Sequence, residues 1–235
     1  MSRTFDAIVV GTGGFGSSCV YHLARRGLRV IGLDRFPGGH DRGSSHGETR
    51  VIRQAYFEHP DYVPLLLRSY EQWRELEAAS GADLLTICGL MLAGPPEGEV
   101  VSGVRLAARQ HGVAVESVSP VDARKRFPGF CVPGGFDVVF EPVGGVLRVE
   151  DCVRTMLDLA RQSGAVLESG HAVESWESDG QHVRVTTSQG TFEAATLILT
   201  PGSWAGDLLG NVPGMPAFEV LRKSMFWNPV RSDAF

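Results

Sequence analysis

The chain has 235 residues, of which 43% are hydrophobic and 21% charged, and its formal net charge at pH 7 is −5. This composition excludes an intrinsically disordered chain, and the acidic balance argues against binding to nucleic acid or to an anionic membrane. No apolar run approaches the roughly 20 residues of a membrane-spanning helix, and the first predicted strand leaves no room for a signal peptide, so the sequence predicts a cytoplasmic protein.

The first predicted elements are a strand and a glycine-rich turn. Ala7 to Val10 is a short apolar run, typical of a buried parallel strand. Gly11, Gly13 and Gly16 then follow the G-x-G-x-x-G spacing. In that motif the first glycine permits a tight turn, the second lets a pyrophosphate approach the backbone, and the third lets the next helix lie close to the sheet.

The elements after this turn complete a dinucleotide-binding unit. A helix is predicted over residues 14–26, and its N-terminus offers free N–H groups and the positive end of a dipole to phosphates. Leu28 to Leu33 is the return strand, and Asp34 follows it where a carboxylate accepts ribose hydroxyls. A purely structural glycine turn, the alternative, would leave Asp34 without a role.

Beyond Asp34 the sequence departs from an NAD-type fold. Residues 36–47 form a loop rich in turn-forming residues, where an NAD-dependent dehydrogenase would need further strand–helix units. The Asp179-Gly180 pair predicts a hairpin, and the scattered cysteines predict buried free thiols and no metal site. The predicted helices are 62–79, 97–111, 120–127 and 151–162, and the predicted strands are 86–93, 113–118, 136–140, 146–148, 165–168, 171–178, 182–187, 196–199 and 220–227.

Arg50 and Arg53 form a pair three residues apart beyond that loop. The planar guanidinium group grips a carboxylate in a bidentate way that lysine cannot match, so the pair is a candidate anion site. Composition alone favours the alternative, a surface arginine pair.

Five motifs together resemble the monomeric sarcosine oxidase and N-methyltryptophan oxidase family of flavoenzymes, within the wider glycine oxidase and D-amino-acid oxidase group. The glycine motif alone is shared with many dinucleotide binders, whereas Gly-Ser-x-His-Gly-x-Thr-Arg-x-x-Arg is specific to few families. The resemblance covers the chain almost end to end. The motifs are Ile8 to Gly16, Gly43 to Arg53, Tyr62 to Leu65, Phe140 to Leu147 and Leu197 to Trp204.

This resemblance implies an α/β fold, with a Rossmann-like FAD-binding domain that contains a parallel sheet and a β-meander, plus an incomplete α+β substrate domain. The first domain would comprise residues 1–82 and 145–215, and the second 83–144 and 216–235. Family members are considerably longer, so the chain is expected to correspond to the N-terminal part of such an enzyme. The family's flavin-attaching cysteine and oxygen-activating lysine would lie beyond residue 235.

The resemblance also assigns roles to individual residues. Arg53 would hold the amino-acid carboxylate, Arg50 would lie against the flavin ring, and His46 would have a positional and packing role beside the flavin rather than act as a general base. Val173 would contact the adenine through its backbone, with an ordinary strand valine as the alternative. The expected cofactor-binding residues are Gly11, Gly13, Gly14, Phe15, Gly16, Asp34, Arg35, Ser44, Ser45, Thr49, Val173 and Gly202.

The implied function is FAD-dependent oxidation of a small secondary or N-methyl amino acid to an imine, with O2 reduced to hydrogen peroxide. The alternative is a truncated, non-catalytic nucleotide-binding fragment that needs its missing C-terminal half. The full-length family is expected to be monomeric, and the fragment is expected to associate through its apolar end. Sarcosine, N-methyltryptophan, pipecolate and proline analogues all present a carboxylate to Arg53, so the sequence leaves the substrate open.

Overall fold

The computed structural model describes residues 4–210, 212–222 and 224–227. These residues divide into two compact units. The first contains the described residues up to 50 and those from 148 to 222, and the second contains residues 51–147 and 224–227. The assignment of residues 1–82 and 145–215 to cofactor binding, and of the remainder to substrate binding, stays a prediction.

Twelve strands are present in the described residues. In chain order they are β1 (Thr4–Val10), β2 (Val30–Asp34), β3 (Thr49–Ile52), β4 (Leu85–Ile87), β5 (Leu90–Gly94), β6 (Glu116–Val118), β7 (Asp137–Glu141), β8 (Gly145–Arg148), β9 (Val166–Ser169), β10 (Val173–Ser178), β11 (Val183–Thr187) and β12 (Gly190–Leu199).

The α-helices of the described residues include the five predicted ones and a short sixth, α6, that was not predicted. They are α1 (Gly14–Arg25), α2 (Val63–Ser80), α3 (Glu99–His111), α4 (Pro120–Arg126), α5 (Val149–Gln162) and α6 (Ala205–Leu209), with 3-10 turns at Pro60–Tyr62 and Gly202–Trp204. None of the helices in the part of the chain that the structure describes is long and apolar enough to cross a lipid bilayer.

The first unit is built on a six-stranded sheet in the order β10-β11-β12-β1-β2-β9. β1 pairs in parallel with β12 and β2, and β2 pairs in parallel with β9, whereas β10, β11 and β12 form an antiparallel meander. Apolar side chains from both parts form one buried cluster, which includes Ile8, Ile31, Leu33, Val185 and Ala194. The predicted Rossmann-like sheet with a β-meander is confirmed.

Helices α1 and α5 pack against each other in this unit. The amphipathic pattern of α5 buries Val153, Met156 and Leu157, and α1 buries Val20 and Ala24. Because β1, α1 and β2 follow one another directly, the carboxyl ends of two parallel strands and the N-terminus of α1 meet at one edge of the sheet, where α/β proteins bind ligands.

The second unit contains an antiparallel sheet in the order β5-β7-β6. Its core packs α3 against this sheet, with Val101, Val104, Ala107 and Val139 all fully buried. The remaining strands form a small sheet in the order β3-β8-β4, in which β4 and β8 are antiparallel.

The single strand predicted over residues 86–93 is in fact two strands, β4 and β5. The break lies at Gly89, whose φ of +78° is left-handed, and the N–H groups of Cys88 and Gly89 both donate to the Gly144 carbonyl oxygen instead of to a neighbouring strand. A Cβ at Gly89 would also overlap the Phe140 ring, so glycine is required at this bend.

Two other predictions are corrected. Residues 220–222 and 224–227 have no regular secondary structure, although the apolar run predicted a strand, because none of the described strands pairs with this segment. Lys223, also within the predicted strand, lies outside the described residues. Cys88 and Cys131 are exposed rather than buried, since both lie in connecting segments instead of on packed faces.

Candidate functional site

The turn between β1 and α1 shows why each glycine of the motif is present. Gly11 has a left-handed φ of +85°, and a Cβ there would overlap the Thr200 carbonyl oxygen. A Cβ at Gly16 would overlap the Gly11 carbonyl oxygen, so the turn itself requires both glycines. At Gly13, by contrast, the protein atom nearest to an added Cβ is the Ser45 Oγ, at 3.8 Å. The space beside the second glycine therefore suits a ligand that approaches the backbone.

The N-terminus of α1 faces this space with its first amides. The N–H of Gly14 donates to the Ser45 Oγ over 3.0 Å, and no acidic side chain lies in the first turn. The first amides of a helix lack intrahelical acceptors and carry the positive end of the helix dipole, so this end attracts anions. Because the Ser45 hydroxyl accepts from Gly14, its own hydrogen is available to donate to a phosphate oxygen.

Asp34 ends β2 with a side chain that is only 11% exposed. Its Oδ2 accepts from the N–H and the Oγ1 of Thr12, at 2.6 and 3.1 Å, and its Oδ1 accepts from the N–H of Phe36 at 2.9 Å. The His40 Nε2 lies 3.9 Å from Oδ1. A carboxylate offers about four acceptor positions, so about one position, on Oδ1, is left for a ribose hydroxyl.

A cavity of about 550 Å³ opens beside these groups within the first unit, which is within the size range of small-molecule sites. Of the predicted cofactor residues, Gly16 is buried inside α1 and Thr49 lies in β3, and neither lines the cavity. Those that do line it are Gly11, Gly13, Gly14, Phe15, Asp34, Arg35, Ser44, Ser45, Val173 and Gly202.

Sequence reasoning missed three polar residues at this site. Thr12 holds the Asp34 carboxylate, as described above. Thr200 lines the cavity, and its hydroxyl, which has one hydrogen to donate, lies 3.0 and 2.7 Å from the carbonyl oxygens of Val10 and Gly11 at the turn. His171 also lines the cavity, is 9% exposed, and has its Nδ1 3.0 Å from the Thr187 Oγ1. Only Thr200 carried a signal, because it begins the loop after a predicted strand.

Arg50 and His46 belong to the segment that follows the glycine-rich loop. The Arg50 guanidinium donates to the backbone carbonyl oxygens of Thr49 and Ser44, so it fixes the loop that carries Ser44 and Ser45. Neither Arg50 nor His46 lines the cavity. Their assignment to the flavin ring stays a prediction.

Arg53 lies in the second unit, and its side chain is 16% exposed. Its Nη2 donates to both carboxylate oxygens of Glu58 at 2.8 Å, and its Cζ lies 4.4 and 4.6 Å from the ring centroids of Tyr56 and Phe57. The Arg53 Nε is buried without a hydrogen-bond partner among the described residues. A buried donor of this kind is costly unless an acceptor reaches it, which is consistent with an anion site.

Glu141 is a fully buried carboxylate in the second unit that sequence reasoning did not select. It accepts hydrogen bonds from the N–H groups of Gln54 and Ala55, at 2.5 and 3.0 Å, and so holds the turn that follows Arg53. Burial raises the pKa of Glu141, and the two N–H donors and the charge of Arg53 oppose this rise only in part.

The chain is similar in sequence to monomeric sarcosine oxidases and N-methyl-L-tryptophan oxidases. The chain is 40% identical over 227 residues to monomeric sarcosine oxidase of Streptomyces avermitilis, covering 97% of this chain and 59% of that protein. It is 35% identical over 224 residues to N-methyl-L-tryptophan oxidase of Yersinia pestis, covering 95% of this chain and 59% of that protein. The chain thus spans less than two thirds of the length of these relatives.

Solved structures give the same picture. NikD, an unusual amino acid oxidase essential for nikkomycin biosynthesis, superposes with a TM-score of 0.79 at 29% identity, covering 89% of this chain and 54% of NikD. Glycine oxidase from Geobacillus kaustophilus shares the fold with a TM-score of 0.76 at 24% identity, covering 90% of this chain and 59% of that protein. The family model described as FAD dependent oxidoreductase matches residues 6–231, and the chain therefore belongs to that family.

Proposed function

We propose that the first unit binds FAD, and that the chain forms the cofactor-binding part of an oxidase that converts a small secondary or N-methyl amino acid to an imine while O2 becomes hydrogen peroxide. The observation that carries the proposal is the cavity beside Gly13, because an anion-attracting helix end, a glycine that the fold does not require and a nearly buried acid line it together. The names of the relatives support the reaction class.

The residues present fit the cofactor. The Gly13 backbone, the Ser45 hydroxyl and the positive end of the α1 dipole would hold the pyrophosphate, and the Oδ1 of Asp34 would accept a ribose hydroxyl. Val173 would offer its backbone to the adenine. Bound FAD supplies the two-electron redox chemistry and its reoxidation by O2.

For the substrate we propose a carboxylate contact at Arg53. The Nη2 of Arg53 is taken by Glu58, but its buried Nε has an open donor, and the rings of Tyr56 and Phe57 restrict the guanidinium plane. The charge of the guanidinium group and its open Nε–H donor favour a carboxylate ligand, which small amino acids of every N-methyl or cyclic type would present. The proposed reaction makes small amino acids and O2 the molecules with which the enzyme reacts. We expect the longer enzyme to be a monomer.

The Asp34→Asn variant tests the cofactor assignment. The amide keeps one acceptor oxygen but turns an NH2 group toward one of the N–H donors, so we expect FAD affinity to fall about tenfold or more. Fluorescence titration with FAD measures this, and Asp41→Asn is the matched control because the Asp41 side chain is 81% exposed and pairs with Arg42. Equal affinities for the two variants would remove Asp34 from the site.

The Arg53→Lys variant tests the substrate assignment. Lysine keeps the charge but loses the planar fork, so we expect the FAD content to stay unchanged while the affinity of the FAD-loaded protein for sarcosine falls about tenfold. Flavin absorbance measures FAD content, and calorimetric titration measures sarcosine binding. Arg68→Lys, which alters an exposed pair with Glu71 and Glu75, should change neither. Lost flavin with unchanged sarcosine affinity would place Arg53 on the cofactor instead.

A further inference from the structure

The loop between β2 and β3 spans residues 35–48 without a regular element, and one side chain holds its last turn. The Oε1 of Glu150 accepts from the N–H groups of Gly47 and Glu48, at 2.5 and 3.2 Å. In addition, the Val149 N–H donates to the Glu48 carbonyl oxygen at 3.3 Å. The first turn of α5 therefore fixes this end of the loop through three hydrogen bonds.

The backbone held in this way adopts a rare conformation. Gly47 has a φ of +96° and Glu48 a φ of +66°, and Glu48 is the only described non-glycine residue with a positive φ. The N–H groups of these two residues meet at the Glu150 Oε1, and an anion at such a point stabilises a turn whose backbone is otherwise strained. Burial alone would raise the pKa of Glu150, but the N–H donors of Gly47, of Glu150 itself and of Glu48 lower it on balance, so the group at that point is a carboxylate.

The same loop carries Ser45, two residues before Gly47. The Ser45 Oγ accepts from the Gly14 N–H at the cavity. Because Ser45 is so close to Gly47 in the chain, the position of its hydroxyl depends on the position of the Gly47–Glu48 turn. Glu150 itself does not line the cavity.

We propose that Glu150 is a positioning residue for cofactor binding, which presents Ser45 to the phosphate site by fixing the Gly47–Glu48 turn. This inference rests on the proposed binding of FAD by the first unit. Glu150 holds the turn because its side chain is long enough for one oxygen to accept from two amides, and its charge strengthens those hydrogen bonds.

Three variants at this position separate reach from charge. Glu150→Gln keeps the acceptor oxygen at the same distance and loses the charge, whereas Glu150→Asp keeps the charge and draws the oxygen back by one methylene. We expect FAD affinity to fall about threefold in the Gln variant and about tenfold or more in the Asp and Ala variants. The matched control is Asp151→Ala, because Asp151 also lies in the first turn of α5 but pairs with Arg154, and it should stay within about twofold of the wild type.

A double-mutant cycle then tests the route of the effect. If Glu150 acts through Ser45, the loss caused by Glu150→Asp should shrink to about threefold or less in a Ser45→Ala background. All affinities come from fluorescence titration with FAD, and thermal melts confirm that the variants fold. If Glu150→Ala does not fold, the comparison of Glu150→Gln with Glu150→Asp still tests the proposal.

The inference is overturned if the Asp variant binds FAD as well as the wild type while the Gln variant fails, since charge alone would then matter. It is also overturned if the Glu150 variants match Asp151→Ala, or if the Glu150 and Ser45 effects simply add. The Gly13→Val variant distinguishes these outcomes from failure of the proposed function. If Gly13→Val leaves FAD binding intact, the cavity is not the cofactor site. If it abolishes binding while the Glu150 variants do not weaken it, only the role of Glu150 is rejected.

Discussion

The Gly13→Val variant is expected to fold normally and to lose FAD affinity by about a hundredfold or more, because the valine side chain would occupy the space that a pyrophosphate needs. The protein atom nearest to a Cβ at Gly13 is the Ser45 Oγ at 3.8 Å, an ordinary contact, so the turn has room for a Cβ at this position. Circular dichroism melts would measure folding, and fluorescence titration would measure FAD binding.

The neighbouring glycines supply the contrast. Gly16→Ala is expected to prevent folding of the first unit, since the new methyl group would overlap the Gly11 carbonyl oxygen. Gly134→Val, in the second unit, adds the same side chain as Gly13→Val at a position with open space and should change neither folding nor binding. Unchanged FAD affinity in Gly13→Val would show that the cofactor lies elsewhere.

The Glu141→Ala variant is expected to destabilise the second unit by about 2–4 kcal/mol, because the N–H groups of Gln54 and Ala55 would lose their acceptor inside the core. Hydrogen exchange gives the local readout, since both amides should lose protection. Glu116→Ala is the matched control, because Glu116 is an exposed partner of Arg126, and it should cost under about 1 kcal/mol. Retained protection at Gln54 and Ala55 would contradict this role.

The same residue gives a pH dependence with a defined sign. Burial raises the pKa of Glu141 in the folded state above its unfolded value near 4.3. Its contribution to the free energy of unfolding is therefore fully present below the unfolded pKa and is lost as pH rises through the folded pKa. Relative to Glu141→Gln, which does not titrate, the wild type should gain stability as pH falls from 7 toward 4. Denaturant unfolding at several pH values would measure this difference, and a pH-independent difference would contradict it.

The parts of the structure that the sequence predicted are those set by neighbouring residues. The turn with Gly11 and Gly16 follows from local spacing, because these two glycines and the adjacent helix fix one another. The end of α1 and the Asp179-Gly180 hairpin were predictable for the same reason. The break at Gly89 involves only a few neighbouring residues, but the sequence did not predict it. Its cause is the Phe140 ring, which comes from a strand that is distant in the sequence.

The polar residues that position the site could not be predicted in the same way. Glu141 reaches Gln54 across 87 positions, and Glu150 reaches Gly47 across 103, so each looks like an ordinary strand or helix acid until the fold brings the partners together. For residues 220–222 and 224–227 the error was the opposite one, because the sequence predicted an element that the structure does not contain. Their apolar composition predicted a strand, but a strand exists only where another strand pairs with it.

The strand order of the first unit also determines when its pocket can form as the chain is synthesised. The Thr200 Oγ1 closes the glycine turn by bonding to the Val10 carbonyl oxygen, 190 positions away, and β1 finds its neighbour β12 only after residue 199. Residues 51–147, which make up nearly all of the second unit, leave the ribosome as one continuous stretch in between. Long-range parallel pairing is slow because the intervening chain must be ordered first. We therefore expect the second unit to fold while β1 still lacks β12 and β2 still lacks β9, and newly made chains to depend on chaperones during that interval.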